Sequence, residues 1–313
     1  MLEFLRNAIL GFMPSHRIRN SDSGLTCLQY LRLLIPAAPQ SYLHQLLRKG
    51  RISLDGRAVL PDSRLEGGMV LELPRSERLL KLAAEAESML VDILHEDDLL
   101  IVVDKPAGLA VHRSRGHETD NLLERVERRS KALGEHFQIA PVHRLDAETS
   151  GPVLLGKGHQ AISSLGKTFM TGEIEKSYLA LVRGDLPDSG RLETSVPAKG
   201  TWKEASTRFH VRERLNRYLL VELFLESGRT HQIRRQLADR NMPLAGDRRY
   251  RGPNVPGLQR LFLHCQRLGF RNPFSGEQLV VESPLPSSLS DVLAVLRSQR
   301  SDRHPPATTE EKN

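Results

Sequence analysis

Residues 143–151 constrain the fold of this chain most strongly, because a polar segment there leads directly into an apolar one. The segment reads His-Arg-Leu-Asp-Ala-Glu-Thr-Ser-Gly, and the apolar run at residues 153–155 follows it. Serine and glycine favour a turn, whereas the apolar run is typical of a buried strand. The carboxylate of Asp146 is therefore predicted on a loop supported by a sheet, where catalytic groups are often found. The alternative is that Asp146 caps a helix or forms a surface ion pair.

Other motifs lie on both sides of this segment in a fixed order. In chain order they are Lys-Pro-Ala-Gly (105–108), His-Arg-Leu-Asp-x-x-Thr-Ser-Gly (143–151), Lys-Ser-Tyr-Leu-Ala-Leu-Val (176–182), Gly-Arg-Thr-His-Gln-Ile-Arg (228–234), Pro-Leu-Ala-Gly-Asp (243–247) and Leu-His (263–264). In this order they resemble the pseudouridine synthases of the large-subunit ribosomal RNA type. The resemblance covers roughly residues 90 to 290.

The charge of the chain favours a polyanionic partner. The 45 basic residues exceed the 38 acidic ones, giving a net charge of +7. The excess is local: four cations between residues 44 and 57 face only Asp55, and six arginines between residues 247 and 271 face only Asp247. Each run alone could be solvated surface charge, but two runs in one basic chain indicate a phosphate backbone as the partner.

Cysteine and histidine usage argues against a disulfide framework and a metal site. Cys27 and Cys265 are far apart in sequence, which fits a reducing cytosol. The histidines do not follow a metal-ligand spacing, so no metal is expected. The apolar residues near the amino terminus are interrupted by charges, and no run reaches the roughly 20 apolar residues that a membrane span needs. We therefore predict a cytoplasmic protein that does not enter a membrane.

The chain divides into five predicted regions. Residues 1–16 are a lead-in, residues 17–75 a small RNA-binding module, residues 76–90 a connecting helix, residues 91–297 the catalytic domain and residues 298–313 a disordered tail. The small module, with two helices and a hairpin, resembles the S4 RNA-binding domain, and we assign RNA contacts to Arg48, Lys49 and Arg51. The fold class predicted for the whole chain is α+β, with a mixed sheet in the catalytic domain.

The resemblance also implies a reaction. Converting uridine to pseudouridine breaks the bond between the base nitrogen and C1′, rotates the uracil, joins carbon to carbon and removes a proton from C5, so no cofactor is required. The carboxylate of Asp146 is expected to act at the sugar, either as a nucleophile at C1′ or as a base at C2′. Burial alone would raise its pKa, and Arg234 is expected to supply the compensating cation. Tyr178 is expected to stack on the base and to accept the C5 proton.

Further residues are assigned to substrate binding by the same resemblance. Arg144 is expected to fill the gap left when the uridine is flipped out of its stack. His143 is expected to shape the loop, Lys105 to shape the cleft wall, and Arg229 and His231 to line the pocket. Structural alternatives exist for several of them: Arg234 could contact a phosphate, Tyr178 could be a core residue, and Lys105 could pair with an acid.

Two other functions compete with this hypothesis. A glycoside or nucleoside hydrolase also cleaves at C1′, and Glu148 is the best candidate for the second carboxylate that such enzymes use. A ribosome-assembly factor without enzymatic activity would need only the basic patches. We predict an RNA pseudouridine synthase that acts as a monomer on structured RNA, with ribosomal RNA as the first candidate substrate and transfer RNA as the alternative.

Overall fold

A computed structural model describes residues 15–18, 20–35, 37–79, 81–82, 91–114, 117–118, 120–171, 174–198 and 201–301. These residues form two compact units. The described parts of residues 1–92 and 112–139 make up unit 1, and those of residues 93–111 and 140–313 make up unit 2.

In the described residues of unit 1, three α-helices of eight or more residues accompany a small antiparallel sheet with the strand order β1-β4-β2-β3. Its elements are β1 Ser15–Arg17, α1 Cys27–Leu34, α2 Gln40–Arg48, β2 Ser53–Leu54, β3 Arg57–Ala58, β4 Val70–Glu72 and α3 Leu122–Leu133. Thr26 and Gln29 form a capping box that fixes the start of α1. The predicted hairpin turn is confirmed, since Asp55 and Gly56 both have positive φ between β2 and β3.

Helix α3 comes from the middle of the chain but belongs to unit 1. The Gln29 side chain donates to the carbonyl of Leu133 at 3.1 Å, and Arg32 donates to the carbonyl of Lys131 at 3.1 Å. Both bonds are made to carbonyls in the last turn of α3, where the helix itself leaves acceptors available. Helix α3 therefore belongs to unit 1, although residues 91–297 were predicted to form one catalytic domain.

Unit 2 is built on two sheets. One has six antiparallel strands in the order β10-β11-β12-β9-β13-β14, and the other has four in the order β5-β6-β8-β7. The strands are β5 Asp92–Glu96, β6 Leu100–Lys105, β7 Ile139–Pro141, β8 Gly151–Lys157, β9 Ile174–Arg183, β10 Ser189–Ala198, β11 Thr201–Leu215, β12 Tyr218–Leu225, β13 Leu263–Arg271 and β14 Gln278–Glu282. The helices are α4 His159–Thr171, α5 Gln232–Ala238 and α6 Ser287–Ser301.

The two sheets meet beside the segment 143–151. Every residue of β8 is buried, as the apolar run predicted. At its start Ser150 pairs with His264 in an isolated parallel bridge, and the Cys265 amide donates to the Ser150 carbonyl at 2.8 Å. Strand β13 therefore touches both the end of the polar segment and strand β9, which carries Tyr178.

The α+β fold class is confirmed, and several predicted boundaries differ from the observed ones. Strand β1 begins at Ser15, inside the predicted lead-in, because it pairs with β4. Helix α6 continues to Ser301, past the predicted start of the tail at Ser298. Of the predicted connecting helix, residues 77–79 and 81–82 are helical and residues 83–90 lie outside the described residues, as do residues 1–14 and 302–313. Among the described helices, none is long and apolar enough to cross a membrane.

Candidate active site

Asp146 lies on a tight turn between β7 and β8. The Thr149 amide donates to the Asp146 carbonyl at 3.0 Å, and Gly151 follows with a φ of 126°. A Cβ atom on Gly151 would collide with the carbonyl of Cys265, so glycine is required by both its backbone and its surroundings. The Asp146 side chain is 19% exposed, which leaves the carboxylate sheltered but reachable.

Lys105 holds this turn from inside the protein. Its ammonium donates to the carbonyls of Pro106, Leu109 and Ala147 at 2.8, 2.7 and 3.0 Å, and the Gly108 amide donates to the Ala147 carbonyl at 2.8 Å. The three N–H groups of a lysine ammonium are thus all used. Burial lowers the pKa of Lys105 to about 7, and the charge of Arg260 acts in the same direction. Lys105 was expected to contact the substrate, whereas the structure buries it completely.

Arg260 binds the carboxyl-terminal end of the same turn, at Glu148 and Ser150. One of its terminal nitrogens donates to the Ser150 hydroxyl at 2.9 Å and lies 3.4 Å from the Glu148 carbonyl. The Ser150 hydroxyl meets His264 Nδ1 at 2.9 Å, and His264 Nε2 lies 3.0 Å from the Ser283 carbonyl. Since a carbonyl only accepts, Nε2 carries the proton of a neutral imidazole. Burial lowers the pKa of His264 to about 4. Sequence reasoning missed Arg260, which was only one member of a basic run.

Arg234 lies at the start of α5 and is almost completely buried. Its Nε and Nη2 donate to the two carboxylate oxygens of Asp247, each at 2.7 Å, and Nη2 lies 3.2 Å from Glu148. Burial acts to lower the pKa of Arg234, but hydrogen bonds to Asp247 and the charges of Asp247, Glu148 and Asp146 raise it overall. The guanidinium is therefore a fixed cation beside the Asp146 turn. Its direct partner is Asp247, which sequence reasoning did not assign to the site.

Among the described residues, the side chain that forms an ion pair with Asp146 is His231. Its Nε2 is 3.8 Å from an Asp146 oxygen, and its ring meets the ring of Tyr250 edge-on with centroids 6.0 Å apart. Its backbone adopts a left-handed conformation with a φ of 54°, which turns the chain sharply into α5. Burial lowers the pKa of His231, while the charge of Asp146 opposes that shift. The neutral imidazole is therefore favoured at neutral pH.

Tyr178 lies on β9 directly opposite Cys265 of β13, and it is 5% exposed. Burial raises the pKa of Tyr178 well above its usual range, and the nearby Cys265 thiol and the Asp146 charge add to this. The hydroxyl is thus protonated, and its ring faces the same region as the Asp146 carboxylate. The structure brings Asp146, Tyr178, His231 and Arg234 into one site.

His143 and Arg144 are adjacent in sequence but point to different environments. Arg144 is exposed to solvent. His143 stacks on Phe169 with ring centroids 4.8 Å apart, and its Nε2 accepts from the Leu154 amide at 3.1 Å. Burial lowers the pKa of His143 well below its usual value, and the charge of Lys176 acts in the same direction. His143 therefore supports the loop from inside, while Arg144 is available to a ligand.

The other predicted contact residues are exposed. Arg229 is exposed at the turn before α5, and its amide donates to the Gln232 side chain at 3.1 Å. In unit 1, Arg48, Lys49 and Arg51 are exposed at the carboxyl end of α2 and just beyond it. Within the described part of the chain, no group of three or more His, Cys, Asp or Glu side chains is placed to hold a metal ion.

Comparison with known proteins points to one family. The RNA pseudouridylate synthase family model matches residues 99–239. Ribosomal large subunit pseudouridine synthase D of Neisseria meningitidis serogroup A is 33% identical over 289 residues, which cover 85% of this chain and 77% of that protein. Ribosomal large subunit pseudouridine synthase C of Escherichia coli K12 is 32% identical over 314 residues, covering 90% and 96%.

Solved structures give the same result for the fold. The structure of human RNA pseudouridylate synthase domain containing 4 superposes with a TM-score of 0.56 at 24% identity, and the match covers 66% of this chain and 93% of that one. The structure of human RNA pseudouridylate synthase domain containing 1 gives a TM-score of 0.50 at 21% identity, and the match covers 67% of this chain and 96% of that one.

Proposed function

The chain belongs to the RNA pseudouridylate synthase family, and we propose that it isomerises specific uridines of ribosomal RNA with Asp146 as the reacting carboxylate. The family makes it an RNA pseudouridine synthase. The choice of ribosomal RNA rests on the relatives, which are large-subunit ribosomal enzymes. Transfer RNA is the alternative substrate, and the monomeric state and cytoplasmic location stay predictions.

One observation supports Asp146 above all: its carboxylate is sheltered but reachable, and the buried guanidinium of Arg234 is a fixed cation in the same site. His231 lies 3.8 Å away, and the charge of Asp146 is felt by buried Lys105 and Arg234. Attack at C1′ and proton removal at C2′ both require a carboxylate that the substrate can reach. Arg234 is held by Asp247, and Lys105 binds the carbonyls of the Asp146 turn, so neither side chain needs to rearrange when the substrate arrives.

The remaining side chains fit the later steps of the isomerisation. The uracil must leave its stack before the glycosidic bond is accessible. Exposed Arg144 lies two residues before Asp146, so it is suited to occupy the space that the flipped uridine vacates. The protonated hydroxyl of Tyr178 lies at the inner wall, where it could exchange a proton with C5 of the rotated base. Lys105, which is buried and bonded to the Asp146 turn, acts as a positioning residue.

Unit 1 is proposed as the RNA-docking module. Helices α1 and α2 with the small sheet fit the predicted S4-like domain, and Arg48, Lys49 and Arg51 present three exposed cations within four positions. Cations of this kind bind the phosphate backbone irrespective of base sequence. We assign them affinity for RNA, and we assign the choice of uridine to the pocket around Asp146.

The test is substitution of the carboxylate by its amide. We expect Asp146→Asn to abolish pseudouridine formation in ribosomal RNA while leaving RNA affinity within a few-fold, because the shape of the turn is kept and only the reacting charge is lost. Mass spectrometry of nuclease-digested RNA measures the product, and filter binding measures the affinity. Asp185→Asn, at a carboxylate whose side chain is 90% exposed, is the matched control. Turnover by Asp146→Asn would overturn the assignment.

The same experiment distinguishes an isomerase from the alternative, a hydrolase. Glu148, its second carboxylate, is bound to Arg234 and is half exposed. A hydrolase would release free uracil and leave an abasic site, whereas an isomerase retains the base on the RNA. Free uracil in the reaction mixture would therefore replace the proposed function with base excision.

A further inference from the structure

Lys176 is a partly buried lysine beside the candidate site that none of the roles above uses. Its Nζ lies 3.2 Å from His143 Nδ1 and 5.1 Å from the centre of the Phe169 ring. None of the carboxylates that the structure describes forms an ion pair with it. A buried ammonium normally has a carboxylate or several carbonyls around it, as Lys105 does.

The hydrogen bonds of His143 show which form of Lys176 the site accommodates. The Leu154 amide donates to His143 Nε2, so that nitrogen must be an acceptor. A neutral imidazole has one N–H, which is then on Nδ1, the nitrogen 3.2 Å from Lys176 Nζ; the imidazole also forms a hydrogen bond with the Arg144 backbone. An ammonium has three donors and no acceptor, so it cannot complete this contact, whereas the lone pair of an amine can. The uncharged amine is also favoured by desolvation, which lowers the pKa of Lys176 to about 8.

The position of Lys176 connects it to Tyr178. Side chains two residues apart on a strand lie on the same face, so Lys176 and Tyr178 both extend from one face of β9. Cys265 is directly opposite Tyr178 on β13 and interacts with the Tyr178 hydroxyl and electrostatically with Lys176. The ionisable groups that face Lys176 are therefore His143 on one side and Cys265 on the other.

We propose that Lys176, as an uncharged amine, stores the proton that leaves C5 of the rotated uracil, which it receives by way of Tyr178 and Cys265. This rests on the proposed function. The C5–H bond breaks and its electrons form the C5–C6 double bond of pseudouridine, while the electrons of the C6–N1 double bond move onto N1, which takes a proton from solvent. The C5 proton goes to the Tyr178 oxygen as the Tyr178 hydroxyl proton passes to the Cys265 sulfur. The thiol proton, which the Arg267 carbonyl accepts in the resting site at 3.6 Å, turns to Lys176 Nζ and is transferred there. The ammonium then returns its proton to solvent before the next turnover.

The test uses RNA that carries deuterium at uridine C5. In Lys176→Met we expect kcat to fall by about 100-fold, the usual contribution of a general base, and the deuterium isotope effect on kcat to rise above that of the wild type. A loss of packing alone would slow the reaction without making C5–H cleavage slower relative to the other steps. The matched control is Lys167→Met at an exposed lysine of α4, which should behave as the wild type.

A second variant separates basicity from charge and guards against misfolding. Lys176→Arg keeps a long cationic side chain but has no accessible amine form, so it should lose activity and show the raised isotope effect like the methionine variant. In the wild type kcat should rise with pH through about 8, as the amine forms, and Lys176→Arg should lack that rise. An active Lys176→Arg enzyme, or an isotope effect unchanged from the wild type in both variants, would overturn the proposal.

These outcomes are distinguishable from a failure of the proposed function. If the wild-type enzyme forms no pseudouridine in ribosomal RNA, the proposed substrate is wrong. If the wild type forms pseudouridine and both Lys176 variants match it in rate and isotope effect, only the role of Lys176 is wrong.

Discussion

The buried pair between Arg234 and Asp247 allows a prediction with a worked magnitude. Asp247 is fully buried and accepts two bonds of 2.7 Å from Arg234, and one of its oxygens also accepts from the amides of Arg249 and Tyr250 at 3.1 Å. Removing one partner of a buried ion pair costs about 3–5 kcal/mol, because the other charge is left uncompensated. Asp247→Asn keeps an oxygen for the two amides, so about 3 kcal/mol is expected. Asp247→Ala also leaves both amides without an acceptor, so the free energy of unfolding should fall by at least about 1 kcal/mol more.

Thermal unfolding followed by calorimetry measures this effect. A change of 1 kcal/mol shifts Tm by about 2–4 °C in a domain of 150–250 residues, so Asp247→Asn should lower the Tm of the transition that contains unit 2 by about 6–12 °C. Asp239→Asn, at an exposed acid that ends α5, is the matched control and should change stability by less than about 0.5 kcal/mol. If Asp247→Asn unfolds at the wild-type temperature, the argument that the pair holds α5 against the turn at residues 244–247 is refuted.

Three further predictions concern the backbone, the pH dependence and the salt dependence. Gly151→Ala should cost about 2–3 kcal/mol in urea unfolding, because the new methyl group meets the Cys265 carbonyl in a backbone conformation that favours glycine; Gly276→Ala, which has a positive φ of 74° but open space around it, is the control and should cost clearly less. His264 has a pKa of about 4 in the folded protein against 6.5 as its usual value, so the unfolded chain takes up the proton first and the free energy of unfolding should fall as the pH drops from about 6.5 to 4. His264→Gln should flatten that slope in denaturant titrations at several pH values, and an unchanged slope would contradict the role of burial. Replacing Arg48, Lys49 and Arg51 together by glutamine should reduce the slope of log Kd against log salt by about 2–3, since fewer phosphates are neutralised; an unchanged slope would show that these side chains do not contact the RNA.

The fold was predictable wherever the apolar pattern was continuous or strictly periodic. The buried strand β8 and the helix α3 followed directly from their sequences. The long hairpin of β10 and β11 was not predicted, although Ala205, Thr207, Phe209 and Val211 alternate with polar residues and are buried. Buried and polar residues alternate here, as in a strand with one solvated face, but the many charged residues of the segment made this alternation difficult to recognise.

The site was predictable in its residues but not in its pairings. The motifs led to Asp146, Tyr178 and Arg234, which do lie in one site. No spacing in the sequence indicates that Arg234 binds Asp247, because the two meet only after α5 and the turn at 244–247 have packed together. The complete burial of Lys105 was not predictable either. Its three acceptors are backbone carbonyls, which every residue has, so no residue type in the sequence indicates them.

Strand β13 has a consequence for how this enzyme can diverge or be engineered. It holds the Ser150 carbonyl through the Cys265 amide and faces Tyr178 at the same residue, so one short stretch of backbone fixes the spacing between the acid and the aromatic ring. Inserting or deleting a single residue between positions 263 and 265 would displace one of them by a full strand step of about 3.3 Å. Length changes at this point should therefore be eliminated by selection.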